Sequence, residues 1–184
     1  MYPKTKKELM KNKLILSICM TVLFSLSSFS QNRTLPSVKV KDLKNKMVNI
    51  QSVENGGNPI VISFWATWCK PCKKELNNIA EVYEDWQDET DVKLVAISID
   101  NARSMAKVAP YVNASDWDYE VYIDPNGNLK RAMGISTVPH TFLLNSKKQI
   151  VWQHKGYVDG DEDELLEQIK KLAKKEEKKV GELD

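Results

Sequence analysis

Two runs of continuous apolar, β-branched residues constrain this chain more than anything else in it. Ile60-Val61-Ile62-Ser63-Phe64-Trp65 and Val92-Lys93-Leu94-Val95-Ala96-Ile97-Ser98-Ile99 lack the clean alternation of a strand with one wet face. Each therefore predicts a strand buried on both sides. Between them, Leu76, Ile79, Ala80, Tyr83 and Trp86 recur at helical spacing, which predicts an amphipathic helix over about Lys70–Trp86. Two buried strands joined through a helix make a crossover unit, and such units need helices laid over their sheet.

The same reading extends along the chain. Val38–Val40 and Met47–Ile50 predict two short strands around the polar turn Lys44-Asn45-Lys46. Asn55-Gly56-Gly57-Asn58-Pro59 is a turn. A helix is expected near Ala102–Val112, shortened by Pro110. Glu120–Ile123 reads as a strand stopped by Asp124-Pro125-Asn126-Gly127, and Leu129–Met133 as a brief helix. His140–Leu144 and Gln149–His154 predict a hairpin around Ser146-Lys147-Lys148. Asp159–Lys178 is the last helix, with acids early and lysines late, as the helix dipole favours. From Ile60 onward the order βαβαβαββα indicates a three-layer α/β fold. The chain divides into an N-terminal segment (residues 1–30), a linker (31–37), one domain (38–178) and a charged tail (179–184).

Residues 1–30 read as an export signal. Lys4, Lys6, Lys7, Lys11 and Lys13 precede the apolar run Leu14–Phe29, and Ser28 and Ser30 are the small residues a cleavage site wants. Met10-Lys11-Asn12-Lys13 would serve as a basic head by itself. The apolar run is shorter than the roughly 20 residues that span a bilayer comfortably. Cleavage would free the rest of the chain, whereas retention would associate it with the membrane. Cys19 lies early in the run behind bulky Ile18 and reads as one more apolar residue there, not a lipidation site. The segment holds five of the 27 basic and one of the 25 acidic side chains, so the remainder has a formal charge of −2. That balance gives no footprint for a nucleic-acid partner. With 184 residues, 42% of them apolar, the chain suits one packed domain.

Beyond the signal only Cys69 and Cys72 remain, and in an oxidising compartment a close pair is either a disulfide or a redox couple. They sit in Phe64-Trp65-Ala66-Thr67-Trp68-Cys69-Lys70-Pro71-Cys72-Lys73-Lys74-Glu75, where a buried strand passes through a short turn into a helix. Cysteines three apart on a first helical turn face the same side, so their sulfurs can join with little backbone movement. Cys69 at the helix start meets unpaired amides and the positive end of the dipole, with Lys70, Lys73 and Lys74 nearby. Such surroundings can lower a thiol pKa from about 8.5 into the range of about 3.5–7.5. Pro71 fits there because it needs no amide partner. Cys69, the outer thiol, is expected to form the mixed disulfide, and Cys72 to resolve it. A purely structural bond over so short a loop would stabilise little. A zinc site would need two further ligands, with only His140 and His154 as histidines. Neither a metal nor a cofactor is expected.

This segment resembles a thioredoxin-fold active site, and more closely the TlpA/ResA-like branch of exported thiol–disulfide oxidoreductases. Asp124-Pro125-Asn126-Gly127 and Gly134-Ile135-Ser136-Thr137-Val138-Pro139-His140-Thr141-Phe142-Leu143-Leu144 also match that branch. The resemblance implies a thioredoxin-like α/β/α fold with a central mixed sheet and an N-terminal β-hairpin. It implies a periplasmic or otherwise extracytoplasmic enzyme that reduces disulfides of exported proteins, apocytochrome c among them, at the expense of a membrane-bound electron donor. Pro139 matches a proline that is cis in this fold and faces the cysteines, and the backbone of Val138 is then free to pair with an extended substrate. Glu75 matches an acid held near the active site, where partial burial beside two thiols would raise its pKa and let it pass protons.

Two positions depart from related proteins. Ser63 stands where ordinary thioredoxins have a buried Asp, so Glu75 is the better proton acceptor. His140 follows Pro139 where Thr is common; it is expected either at the substrate groove, titrating near neutrality, or on a surface strand. Trp65 is expected to pack beside the site and Trp68 to be partly exposed as a docking surface. The main alternative function is a Cu(I)-binding metallochaperone using the same thiols, with His140 as a third ligand. A peroxiredoxin would need Thr where Ala66 stands, three residues before the reactive cysteine. A partner-binding module without catalysis would not need either thiol.

Overall fold

The computed structural model describes residues 33–181, so the expected export signal lies outside the described residues. Seven strands form one sheet in the order β2-β1-β5-β4-β3-β6-β7. They are β1 (Lys39–Asp42), β2 (Met47–Asn49), β3 (Ile60–Trp65), β4 (Lys93–Ser98), β5 (Glu120–Ile123), β6 (His140–Leu144) and β7 (Ile150–Lys155). The central strands β3, β4 and β5 are parallel, while the β3–β6, β6–β7, β5–β1 and β1–β2 pairings are antiparallel. The mixed sheet and the N-terminal hairpin agree with the expected thioredoxin-like architecture.

The helices are α1 (Lys70–Thr90), α2 (Val108–Ser115), α3 (Asn128–Ala132) and α4 (Asp161–Gly181). Alternation along the buried strands splits the core in two. Val61 and Trp65 of β3, Leu94 and Ala96 of β4 and Leu143 of β6 pack with Leu76, Ile79, Tyr83 and Trp86 of α1 and Leu165 and Ile169 of α4. The intervening Ile60, Ile62, Phe64, Val95, Ile97, Phe142 and Leu144 meet Leu35, Ile50, Leu129 and Met133 on the opposite face. The second layer is thin: α3 has five residues, and the rest comes from a 3-10 turn at Ile50–Ser52 and from loop residues such as Leu35, Val53 and Met133.

Two elements differ from expectation. The helix awaited over Ala102–Val112 is a 3-10 turn at Met105–Lys107 that leads into α2. Pro110 falls in the first turn of α2, where a missing amide hydrogen costs nothing, so it permits the helix instead of shortening it. The stretch expected to be a linker is also built in. Leu35 is 1% exposed, its amide donates to the Lys148 carbonyl at 2.9 Å, and Thr34 bridges Gln149.

Candidate active site

The turn that follows β3 delivers Cys69 to the N-cap of α1, with Pro71 in the first turn. The Cys69 amide donates to the Ala66 carbonyl at 3.0 Å, which closes the turn. The Cys72 amide donates to Cys69 Sγ at 3.3 Å. The sulfur thus already occupies the acceptor position that a helix start offers to an anion. Cys69 and Cys72 are joined as a disulfide with their Cα atoms 5.4 Å apart. Cys69 keeps 5% of its surface exposed and Cys72 none, so Cys69 is the outer residue of the pair. Lys74 pairs with Asp159 at 2.6 Å and Lys73 lies over the Tyr111 ring, so two of the three nearby lysines have partners of their own.

Glu75 lies one turn below Cys72 on α1, and the structure buries it more deeply than expected, at 5% exposed. Ser63 and Thr141 stand directly opposite each other in the β3–β6 register, on the sheet face that α1 covers. Thr141 donates to Glu75 Oε1 at 2.8 Å, and the Ser63 hydroxyl reaches Oε2 at 3.5 Å. Burial pushes the Glu75 pKa up to about 7, against the pull of the Thr141 and Ser63 hydroxyls, with Asp161 and Glu162 adding to the rise. Near neutrality this group both holds and releases a proton. Thr141 is the residue that sequence reasoning passed over. Strand alternation, set from Ser63 across the pair, would have placed it beneath α1.

The Val138–Pro139 peptide bond is cis. Pro139 is buried and immediately precedes β6, and because His140 pairs with Phe64 it comes level with the end of β3, beside the cysteine turn. Val138 is half-buried, and among the described residues its amide and carbonyl have no backbone partner. Trp68 is 63% exposed next to Cys69, while Trp65 is wholly buried against Tyr111 and Trp117.

His140 departs from both expectations. It is 2% exposed, so it is not on a surface strand. Its ring stacks on Phe142 at 4.3 Å and its Nε2 meets Gln153 Oε1 at 3.3 Å. It shares the Phe142 side of β6, the face opposite to the cysteines. Burial pushes its pKa below the usual histidine value, against the pull of the Gln153 side chain. A copper-binding reading therefore loses its nearest candidate for a third ligand. Among the described residues no group of three or more His, Cys, Asp or Glu side chains is placed to hold a metal ion.

A mixed thioredoxin-like sheet with a cysteine pair at the mouth of its first long helix defines a thiol–disulfide oxidoreductase. More particularly, the chain belongs to the AhpC/TSA family, which matches residues 32–153. It is 28% identical over 138 residues to the thiol-disulfide oxidoreductase ResA of Bacillus thuringiensis subsp. konkukian, covering 75% of this chain and 76% of that one. It is 34% identical over 100 residues to the sporulation thiol-disulfide oxidoreductase A of Bacillus subtilis, covering 54% of this chain and 60% of that one. Its fold is similar to the solution structure of a thioredoxin-like protein from Porphyromonas gingivalis. There the TM-score is 0.69, the identity 46%, and the coverage 76% of this chain and 92% of that chain.

Proposed function

We propose that the protein is a disulfide reductase for exported proteins, working outside the cytoplasmic membrane. The observation that carries this reading is the Cys69 sulfur at the N-cap of α1, in hydrogen-bond contact with the Cys72 amide. In the reduced protein the Cys69 thiolate attacks one sulfur of a client disulfide. The client S–S bond breaks, a Cys69–client disulfide forms, and the other client sulfur leaves as a thiolate. Cys72 then loses its proton and attacks Cys69 Sγ. The mixed disulfide breaks, the Cys69–Cys72 disulfide forms, and the second client thiolate departs with the electron pair. The client gains two electrons and this protein loses two, which a membrane-bound dithiol donor restores. Glu75, below Cys72, accepts the proton released there. Trp68 and the free backbone of Val138 flank the cysteines as the contact for an extended client segment, with Pro139 between them and β6.

The proposed clients are extracytoplasmic proteins with accessible disulfides, apocytochromes c included. The basic-then-apolar sequence of residues 1–30 supports delivery across the membrane, either freed by cleavage or held there by that segment. Among the described residues no helix is long and apolar enough to cross a membrane.

The test is to express Cys72→Ser in its own cells and run the exported fraction on a non-reducing gel. Mixed disulfides between Cys69 and clients are expected to accumulate and to vanish with reductant. Absence of adducts contradicts the order of the two cysteines. A measured potential above about −150 mV, toward the oxidant end of the scale, contradicts the reducing direction.

A further inference from the structure

Asp100 lies just past β4 and is wholly buried, yet no step of the disulfide exchange uses it. Its Oδ2 accepts from the Thr67 amide at 2.8 Å and from the Ser98 hydroxyl at 2.8 Å. Its Oδ1 accepts from the Thr67 hydroxyl at 2.7 Å. One residue is therefore gripped twice, by backbone and by side chain. Thr67 is the second residue of the turn between β3 and α1, two positions before Cys69. The neighbouring ends of β3 and β4 are paired as well, since the Ile99 amide donates to the Trp65 carbonyl at 2.8 Å.

An apolar or neutral residue would fill this position without the cost of taking a carboxylate out of water. That cost is offset only by a full set of donors, and the Thr67 amide and hydroxyl, both in the turn that carries the redox cysteine, supply two of them. Burial alone would raise the Asp100 pKa. The Thr67 amide and hydroxyl, with Ser104 and Ser98, overcome it and hold the carboxyl below the usual range, so it is ionised at neutral pH.

We propose that Asp100 is a positioning residue of the redox centre. Through Thr67 it holds the turn that presents Cys69 at the mouth of α1, and so keeps the sulfur in line with the free amides of the helix start. This rests on the reading of Cys69 as the attacking thiol. The clamp works by geometry: a turn freed from Asp100 lets Cys69 swing off the helix axis, and the thiolate then loses its amide contact.

The test compares Thr67→Val, which removes the hydroxyl at nearly constant shape, with Thr67→Ser, which keeps it. Asp100→Asn is the third variant. Each full-length chain is reduced, and alkylation of Cys69 by iodoacetamide is followed from pH 4 to pH 10, alongside insulin-disulfide reduction. Thr67→Val is expected to move the alkylation midpoint upward and to slow insulin reduction at pH 7 roughly tenfold, the weight of one charge-assisted hydrogen bond, while Thr67→Ser stays within about twofold of the parent. Asp100→Asn, which turns one acceptor into a donor facing Thr67, should fall at least as far as Thr67→Val.

A Thr67→Val profile that overlays the parent overturns the proposal. So does an equal loss in Thr67→Val and Thr67→Ser, which would assign the effect to packing. If the parent fails to reduce insulin while the alkylation midpoints still separate as expected, the clamp stands and the reductase reading falls.

Discussion

At the scale of single residues, three sequence-distant positions meet beneath the helix that carries the cysteines. Ser63, Glu75 and Thr141 come from β3, α1 and β6 and share one buried hydrogen-bond cluster. Glu75 was a candidate through the family resemblance, but its depth was not legible, because burial depends on how strands and helix stack. The consequence is a pH-dependent stability. The unfolded carboxyl ionises near 4.5, whereas the folded one holds its proton up to about 7. Between these values the folded state binds the extra proton, so stability falls as pH rises, is fully present below about 4.5 and levels off above about 7. The size of that change is about 3 kcal/mol. Glu75→Gln cannot ionise and should flatten the profile, being more stable than the parent at pH 8 and similar to it at pH 4.5. Thermal unfolding of both proteins across this range measures it; parallel profiles would show that Glu75 is not the group responsible.

At the scale of elements, strands and long helices followed directly from hydrophobic period. Ile60–Trp65 and His140–Leu144 carry the bounds the sequence suggested, and the two strands pair with each other inside the sheet. Short segments were less legible. Apart from Pro36, residues 31–37 hold one apolar side chain, Leu35, among polar ones, and a single residue has no period. Only the fold shows that it fills a space against Phe142 and Leu144 and that the backbone at Arg33 and Leu35 ties down the β6–β7 turn. The Asp100 clamp was hidden for a related reason: two residues 33 positions apart meet only because β3 and β4 are parallel neighbours. A chain beginning at Val38 should therefore be less stable than one beginning at Gln31 by about 2 kcal/mol, the value of burying one leucine, plus the lost bridge. Urea unfolding of the two chains decides it. Equal midpoints would mean that the segment is a linker after all.

At the scale of the whole molecule, the sheet order explains why the reactive end is where it is. The turn after β3 and the residues before β6 emerge side by side, since these strands are antiparallel neighbours, and β4 brings Asp100 to the same edge. Both the cysteine turn and the cis proline thus arise from the central strands, which have the deepest packing in the molecule. In the proposed mechanism this platform would hold the sulfur and a client backbone at a fixed spacing, with the exposed Trp68 at the rim. His140 shows the limit of reading function from chain position. It adjoins Pro139 in sequence, yet strand alternation turns it to the other face of the sheet.

The central claim is that Cys69 alone is an ionised, reachable thiol at neutral pH. It is tested most directly by reducing the full chain, labelling it with iodoacetamide across a pH series and locating the label by mass spectrometry. The account predicts label on Cys69 before Cys72 at every pH, with a midpoint below the free-thiol value of about 8.5. Faster labelling of Cys72, equal labelling of both, or a Cys69 midpoint at or above that value would contradict it.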